Sequence, residues 1–369
     1  MEEDRMEKKP IVLTLDAGGT NFVFSAIQEN EKIIDEIHIP TDPNNLDVCL
    51  KNIVDGFSEA KSKLKDNPSA ISFAFPGPAD YPKGIIADLP NLPAFRGGVA
   101  LGPMLKDKFG IPVFINNDGD LFAYGEALLG FLPHVNKKLE ESDSPKRFKN
   151  LIGITFGTGF GCGIVINKVL LNGDNSCGGE IWLLRNKLMP SSNVEEHGSI
   201  RGVKSAFSKY SKIPIQEVPS PKDIYEIAKG EQEGNKAAAI KAFSDMAEVA
   251  GEAISTAVTL IDGLVVIGGG LSGAADLFLP KIVNEMNGTF TKSDGTIFNR
   301  LSFKTYNLED DTQFAKFVTG SAKKIKIYGS EKTIDYDAEK RVGIGISKLG
   351  TSHAISLGAY VFAVNQLNK

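Results

Sequence analysis

Ile11-Val12-Leu13-Thr14-Leu15-Asp16-Ala17-Gly18-Gly19-Thr20-Asn21-Phe22-Val23-Phe24-Ser25-Ala26-Ile27 is the stretch on which the fold turns. Two short β-branched and aromatic runs flank a glycine turn, the pattern of a hairpin. Its tip is bare backbone: Gly18 and Gly19 let amide N–H groups approach an anion, and Thr20 and Asn21 add donors. Asp16 closes the first run, a carboxylate beside a phosphate-shaped turn, which suits a metal ion or its waters. Taken alone, the segment is equally an ordinary glycine hairpin.

The plan recurs. Leu151 to Phe156, then Gly157-Thr158-Gly159-Phe160-Gly161-Cys162-Gly163, then Ile164 to Leu170 again read strand, Gly-Thr turn, strand. Two such hairpins in two similar halves could each grip one end of a polyphosphate. A third cluster, Gly268-Gly269-Gly270-Leu271-Ser272-Gly273, follows the apolar run 264–267 and precedes a helical pattern. It matches GxGxxG, but the acidic partner expected about 20 residues on falls at Glu285 inside a helix, and no βαβ unit completes itself. Such a turn can instead lie flat under an adenine and ribose. GxxxxGK[ST] occurs nowhere, which excludes a P-loop protein.

Between the clusters, residues 46–64 have helical spacing, and Ala70 to Phe75 is a strand stopped by Pro76-Gly77-Pro78. A helix at 100–109 leads into Val113-Phe114-Ile115, which ends on Asn116-Asn117-Asp118 before a helix at 119–130. Residues 134–149 mix charges of both signs and read as a solvated loop or linker. Helical patterns cover 221–229 and 235–262, with further helices from Ala274 and over 353–367. Residues 301–347 alternate apolar and polar in places and read as an antiparallel β insertion able to build an interface. Strands and helices interleaved twice give an α/β protein of two related halves. The expected domains are 1–117 plus 354–369, and 118–353 with the insertion.

Composition sets the outer limits. The 369 residues, 42% hydrophobic and 24% charged, hold enough apolar material for two cores. No apolar run approaches the ~18 residues that span a bilayer, and the charged start, Met1-Glu2-Glu3-Asp4-Arg5, has no signal-peptide core. A net charge of −5 without a long Lys/Arg cluster argues against nucleic acid. Cys49, Cys162 and Cys177 are scattered and odd in number, which fits a reducing cytoplasm. Among the histidines, His38, His134 and His353 invite no chemistry.

Together these segments resemble the ROK family, sugar kinases and related repressors of the actin/hexokinase ATPase superfamily, over nearly the whole chain. Asp16-Ala-Gly-Gly-Thr-Asn is similar to the family's first phosphate loop and Gly157-Thr158-Gly159 to its second. Phe75-Pro-Gly-Pro and Pro90-Asn91-Leu92 look like its sugar-domain loops. Asn117-Asp118 resembles its catalytic motif, and Val265-Val266-Ile267-Gly-Gly-Gly-Leu-Ser its adenosine segment. The resemblance implies a two-domain actin-like (ribonuclease H-like) fold with a cleft, and ATP-dependent phosphorylation of a hexose at the 6-hydroxyl. Asp118 would be the general base, against the plainer role of helix N-cap. Asp16, Gly18, Gly19, Thr20, Asn21, Gly157, Thr158, Gly159, Gly269 and Gly270 would hold ATP, with Mg²⁺ near Asp16. Gly77, Asn91, Asn117, Asp118, Glu180 and Glu195 would hold the sugar, Glu180 as a buried carboxylate accepting two hydroxyls.

There are departures. Where the family has Gly-His, this chain has Trp182-Leu183, and residues 184–194 lack the cysteines of the family's zinc site. His197 stands where the family has an aromatic residue. No zinc is expected, and Trp182 either walls the sugar or fills the vacated space. Glucose is the default substrate, with fructose, mannose, N-acetylmannosamine and N-acetylglucosamine open. A non-catalytic sugar-binding regulator is the alternative of another class; retention of Asp16, Asp118 and both phosphate hairpins speaks against it. With only about ten residues ahead of the first strand, a DNA-binding repressor is not expected. Expected partners are sugar and ATP, with neither nucleic acid nor membrane, in a possible cytoplasmic homodimer.

Overall fold

The opening hairpin is formed by strands Val12–Ala17 and Asn21–Gln28, paired antiparallel from Val12↔Ile27 to Ala17↔Phe22, in a computed structural model that describes residues 9–17, 21–87 and 93–369. Val12–Ala17 pairs in parallel with Ala70–Ala74, which pairs in parallel with Val113–Asn116. Glu31–Lys32 and Ile37–Pro40 both add to the outer side of Asn21–Gln28. Helix Leu46–Ser62 starts where the Asn45 side chain accepts from the Val48 N–H, and buries Cys49, Ile53, Phe57 and Ala60. Phe57 meets Phe24 edge-on at 5.0 Å and Phe73 at 5.7 Å, and full burial of each such ring contributes about 1.5–3 kcal/mol.

Helix Asp118–Leu128 leaves this sheet and crosses the last helix, Thr351–Leu367, on glycine. A Cβ on Gly125 would lie 2.1 Å from the Ala354 carbonyl oxygen, and one on Gly358 would lie 1.9 Å from the Leu121 carbonyl oxygen. Only glycine permits backbones this close.

The second hairpin, Leu151–Phe156 with Phe160–Ile166, begins a second six-stranded sheet. Leu151–Phe156 pairs in parallel with Leu264–Gly268, which pairs in parallel with Arg341–Ile346. The core of the first sheet, an antiparallel hairpin followed by two parallel strands, is thus repeated. Helix Lys236–Ile261 packs on Ala275–Met286 and Ile200–Ser211 over this sheet, with Phe243, Met246, Ile254, Phe278 and Ile282 in one apolar cluster.

Three expectations require correction. Residues 134–149 are not all loop: Phe131–Glu141 is a helix burying Phe131, Leu132, Val135 and Leu139 while its charges face out. Residues 301–347 are not a single antiparallel insertion. Lys304–Asn307 and Arg341–Ile346 are parallel neighbours in the second sheet, and helix Asp311–Thr319 and hairpin Ala322–Lys326/Thr333–Asp337 lie between them in the chain. A strand therefore does follow helix Ala275–Met286, so the βαβ connection after Gly268 is present, interrupted by hairpin Thr289–Thr291/Ile297–Asn299.

Two units result. The first runs through residue 128 and takes in 172–178 and 352–369; the second comprises 129–171 and 179–351. The helix opened by Asp118 lies in the first, whereas the sequence placed a boundary at 117/118. Among the described residues no helix is long and apolar enough to cross a membrane.

Candidate functional site

In the first unit, three parallel strands end side by side: register aligns Asp16 with Ala74 and Ala74 with Asn116. The carboxyl ends of such strands are where open α/β sheets bind ligands. Asp16 therefore lies at the same sheet end as Gly77 and the Asn116-Asn117-Asp118 turn.

Asn117 and Asp118 divide the helix start between them. The Asn117 carbonyl accepts from the Leu121 N–H at 3.0 Å, and its side-chain Oδ1 accepts from the Gly119 N–H at 2.8 Å. Asn117 is thus the cap. Asp118 Oδ1 shares the same Gly119 N–H at 2.8 Å. The Asp118 side chain reaches solvent, yet protein surrounds it; desolvation pushes its carboxyl up, against the N–H groups of Gly119 and of Asp118 itself. Asp16, exposed at its strand end, is also raised, first by desolvation and then by the charges of Asp118 and Glu36, with Lys32 opposing.

Two residues without a sequence signal support this corner. Tyr81 Oη donates to the Phe75 carbonyl at 3.0 Å and accepts from Asn117 Nδ2 at 3.4 Å, and a Cβ on Gly77 would lie 3.0 Å from it. Asn172 Nδ2 donates to buried Asn116 Oδ1 at 3.4 Å. Both partners come from distant chain segments, so neither spacing nor motif could reveal them. Asn21 is exposed at the head of its strand; Gly18, Gly19, Thr20 and Asn91 lie outside the described residues.

In the second unit, register puts Gly268 opposite Thr155, so the Gly157 and Gly269 turns also leave one sheet end together. Gly269 has φ +90°, and a Cβ there would lie 2.3 Å from the Phe156 carbonyl oxygen. Its N–H donates to Thr351 Oγ1 at 2.7 Å, while Gly270 faces open space. The Gly157 carbonyl accepts from the Ile200 N–H at 2.9 Å, at the start of helix Ile200–Ser211, and Thr158 is exposed. Glu195 Oε2 accepts from the Phe160 N–H at 3.1 Å, closing the far side of that turn.

Glu180 differs from expectation: its side chain is exposed, not buried. Its partner is Trp182, whose indole N–H donates to Oε2 while the ring packs on the apolar core of the unit. Trp182 therefore does more than fill space.

The segment that carries zinc ligands in the resembled family does not fit that ion. Among the described residues no three His, Cys, Asp or Glu side chains gather as a metal site. His197 Nδ1 is engaged at 2.8 Å by the Asn186 side-chain amide. Magnesium is different: Asp16 offers one exposed carboxylate beside a like charge, the arrangement a hydrated Mg²⁺ carried by phosphates relieves.

The ROK family model matches residues 12–302. A crystal structure of glucokinase from Parabacteroides distasonis is 52% identical, with a TM-score of 0.90, and covers 98% of this chain and 99% of its own. The glucokinase of Thermotoga maritima is 23% identical over 72% of this chain and 84% of its own length. N-acetyl-D-glucosamine kinase of Photobacterium profundum is 26% identical over 72% and 86%.

Proposed function

Because the chain belongs to the ROK family and is a sugar kinase, we propose that it transfers the γ-phosphoryl group of ATP to the 6-hydroxyl of a hexose, glucose first, with Asp118 as general base. One observation carries the reading. Asn117 caps the helix, so the Asp118 carboxylate, at the end of a parallel sheet, is not needed as the cap.

In the proposed step the sugar oxygen forms a bond to the γ-phosphorus, the bond from that phosphorus to the β,γ-bridging oxygen breaks, and ADP leaves with the electron pair. The hydroxyl proton passes to Asp118 Oδ2. Asn117, held by Tyr81, and Asn91 fix the sugar, with Gly77 allowing close approach. Glu180, steadied by the Trp182 indole, and Glu195 accept further hydroxyls. The 157–159 turn, the 268–270 turn and the 16–21 hairpin take the nucleotide, their backbone N–H groups meeting phosphate. Mg²⁺, when bound at Asp16, would neutralise charge on the phosphates.

The test is ADP release from Mg-ATP across glucose, mannose, fructose, N-acetylglucosamine and N-acetylmannosamine, with and without Asp118→Asn. Glucose-dependent release that falls by about 10²–10⁴ in the variant is expected. Near-normal turnover of Asp118→Asn overturns the assignment of the base. Release with another sugar alone overturns glucose, and no release with any sugar would favour the non-catalytic regulator.

A further inference from the structure

Asn186 is fully buried, and each of its side-chain hydrogen-bonding positions is used. Oδ1 accepts from the Leu188 and Met189 N–H groups, both at 3.0 Å. Nδ2 donates to the Asn193 carbonyl at 2.9 Å and to His197 Nδ1 at 2.8 Å. Its own backbone N–H donates to the Ser192 carbonyl at 3.0 Å. The two backbone N–H donors to Oδ1 fix which end of the amide is oxygen. The nitrogen must then face His197, Nδ1 must accept, and the ring proton must sit on Nε2. Burial favours the same neutral ring, lowering the affinity of His197 for a proton.

These bonds close a loop whose far end carries Glu195. Beyond Asn193, Val194–Glu196 is a single 3₁₀ turn closed by the His197 N–H on the Val194 carbonyl at 3.1 Å. The Ser199 hydroxyl donates to the Glu195 carbonyl at 2.8 Å. Glu195 thus stands between two fixed points, the His197 ring behind it and the Phe160 N–H ahead.

We infer that Asn186, acting through His197, is a positioning residue for Glu195: an asparagine-centred network, with no metal, sets the register of residues 184–197 and so aims the Glu195 carboxylate. The inference rests on the proposed role of Glu195 in holding the sugar. It also predicts that chelation leaves the loop intact.

The test combines kinetics with ring ¹⁵N NMR of His197. In the parent protein, washed with chelator, the expected signature is a neutral ring protonated at Nε2, without stoichiometric zinc. Asn186→Asp keeps the shape and the Oδ1 acceptor but turns the donor into an acceptor. It should move the proton to Nδ1 and raise the sugar KM about tenfold with a smaller change in kcat, since the carboxylate it would misplace binds the sugar rather than the reacting atoms. His197→Gln, which retains an acceptor, should raise KM less than His197→Leu, and this pair decides the matter if Asn186→Asp does not fold. A parent ring protonated at Nδ1, stoichiometric zinc, or equal KM in the two His197 variants would each overturn the inference. Absence of sugar-dependent ADP release in the parent would instead strike the proposed function, and the NMR signature would still judge the network.

Discussion

Asp118 could be read from the sequence in two ways, as a cap or as a base, because an Asp between a strand and a helix serves either end. What bears on the choice is its neighbour. Asn117 takes the cap, a division of labour invisible in a motif that simply spells Asn-Asp. The raised carboxyl has two consequences. The folded protein holds a proton that the unfolded chain has released, so its stability falls as pH rises from the ordinary value of 3.8 through the raised one. Asp118→Asn should lessen that slope in denaturant titrations, leaving the part due to the raised Asp16, and be the more stable protein at neutral pH. Turnover should move oppositely: kcat/KM climbs with pH as the base ionises, with its midpoint above 3.8. A midpoint at or below that value would show that another group limits the rate. Glu180 marks the reverse situation: the motif pointed to the residue, but its exposure and its Trp182 partner needed the folded chain.

At the scale of elements, the hairpins were legible because alternation and glycine act locally. Helix Phe131–Glu141 was obscured by its own charges: one buried stripe is enough to hold a helix whose other face is all solvated. Lys304–Asn307 was obscured for a different reason. Its partner, Arg341–Ile346, arrives only after a helix and a hairpin, and parallel pairing leaves no turn signal between partners. The glycine crossing of Asp118–Leu128 and Thr351–Leu367 could not be foreseen, since Gly125 and Gly358 look like weak points in helices. Gly358→Ala drives a methyl onto the Leu121 carbonyl, which backbone cannot easily yield, so a cost of at least about 1–3 kcal/mol is expected in thermal unfolding. Because Asp118 begins the displaced helix, kcat should drop as well; an unchanged Tm would mean the helices separate freely.

For the whole molecule, one sheet pattern is used twice, with parallel strands ending side by side at Asp16, Ala74 and Asn116 in one copy and at Thr155 and Gly268 in the other. That repetition was readable because each copy carries its own Gly-Thr hairpin. The composition of the units was not, since the first gathers 172–178 and 352–369 from far along the chain.

The glycine crossing also bears on how the protein is made. On the ribosome, the helix opened by Asp118 emerges long before the helix that locks it, and chains generally fold in the order of synthesis. The strands of the first sheet can form early, but the segment bearing the proposed base waits, half-supported, until nearly the entire second unit has been translated. Stalled chains ending near residue 350 should therefore show rapid amide exchange across 118–128, while exchange in Val12–Ala17 and Ala70–Ala74 is already slow. Equal protection in stalled and full-length chains would refute this. The transfer chemistry would thus await the helix Thr351–Leu367, and a nascent chain would be unable to spend ATP before that helix has emerged.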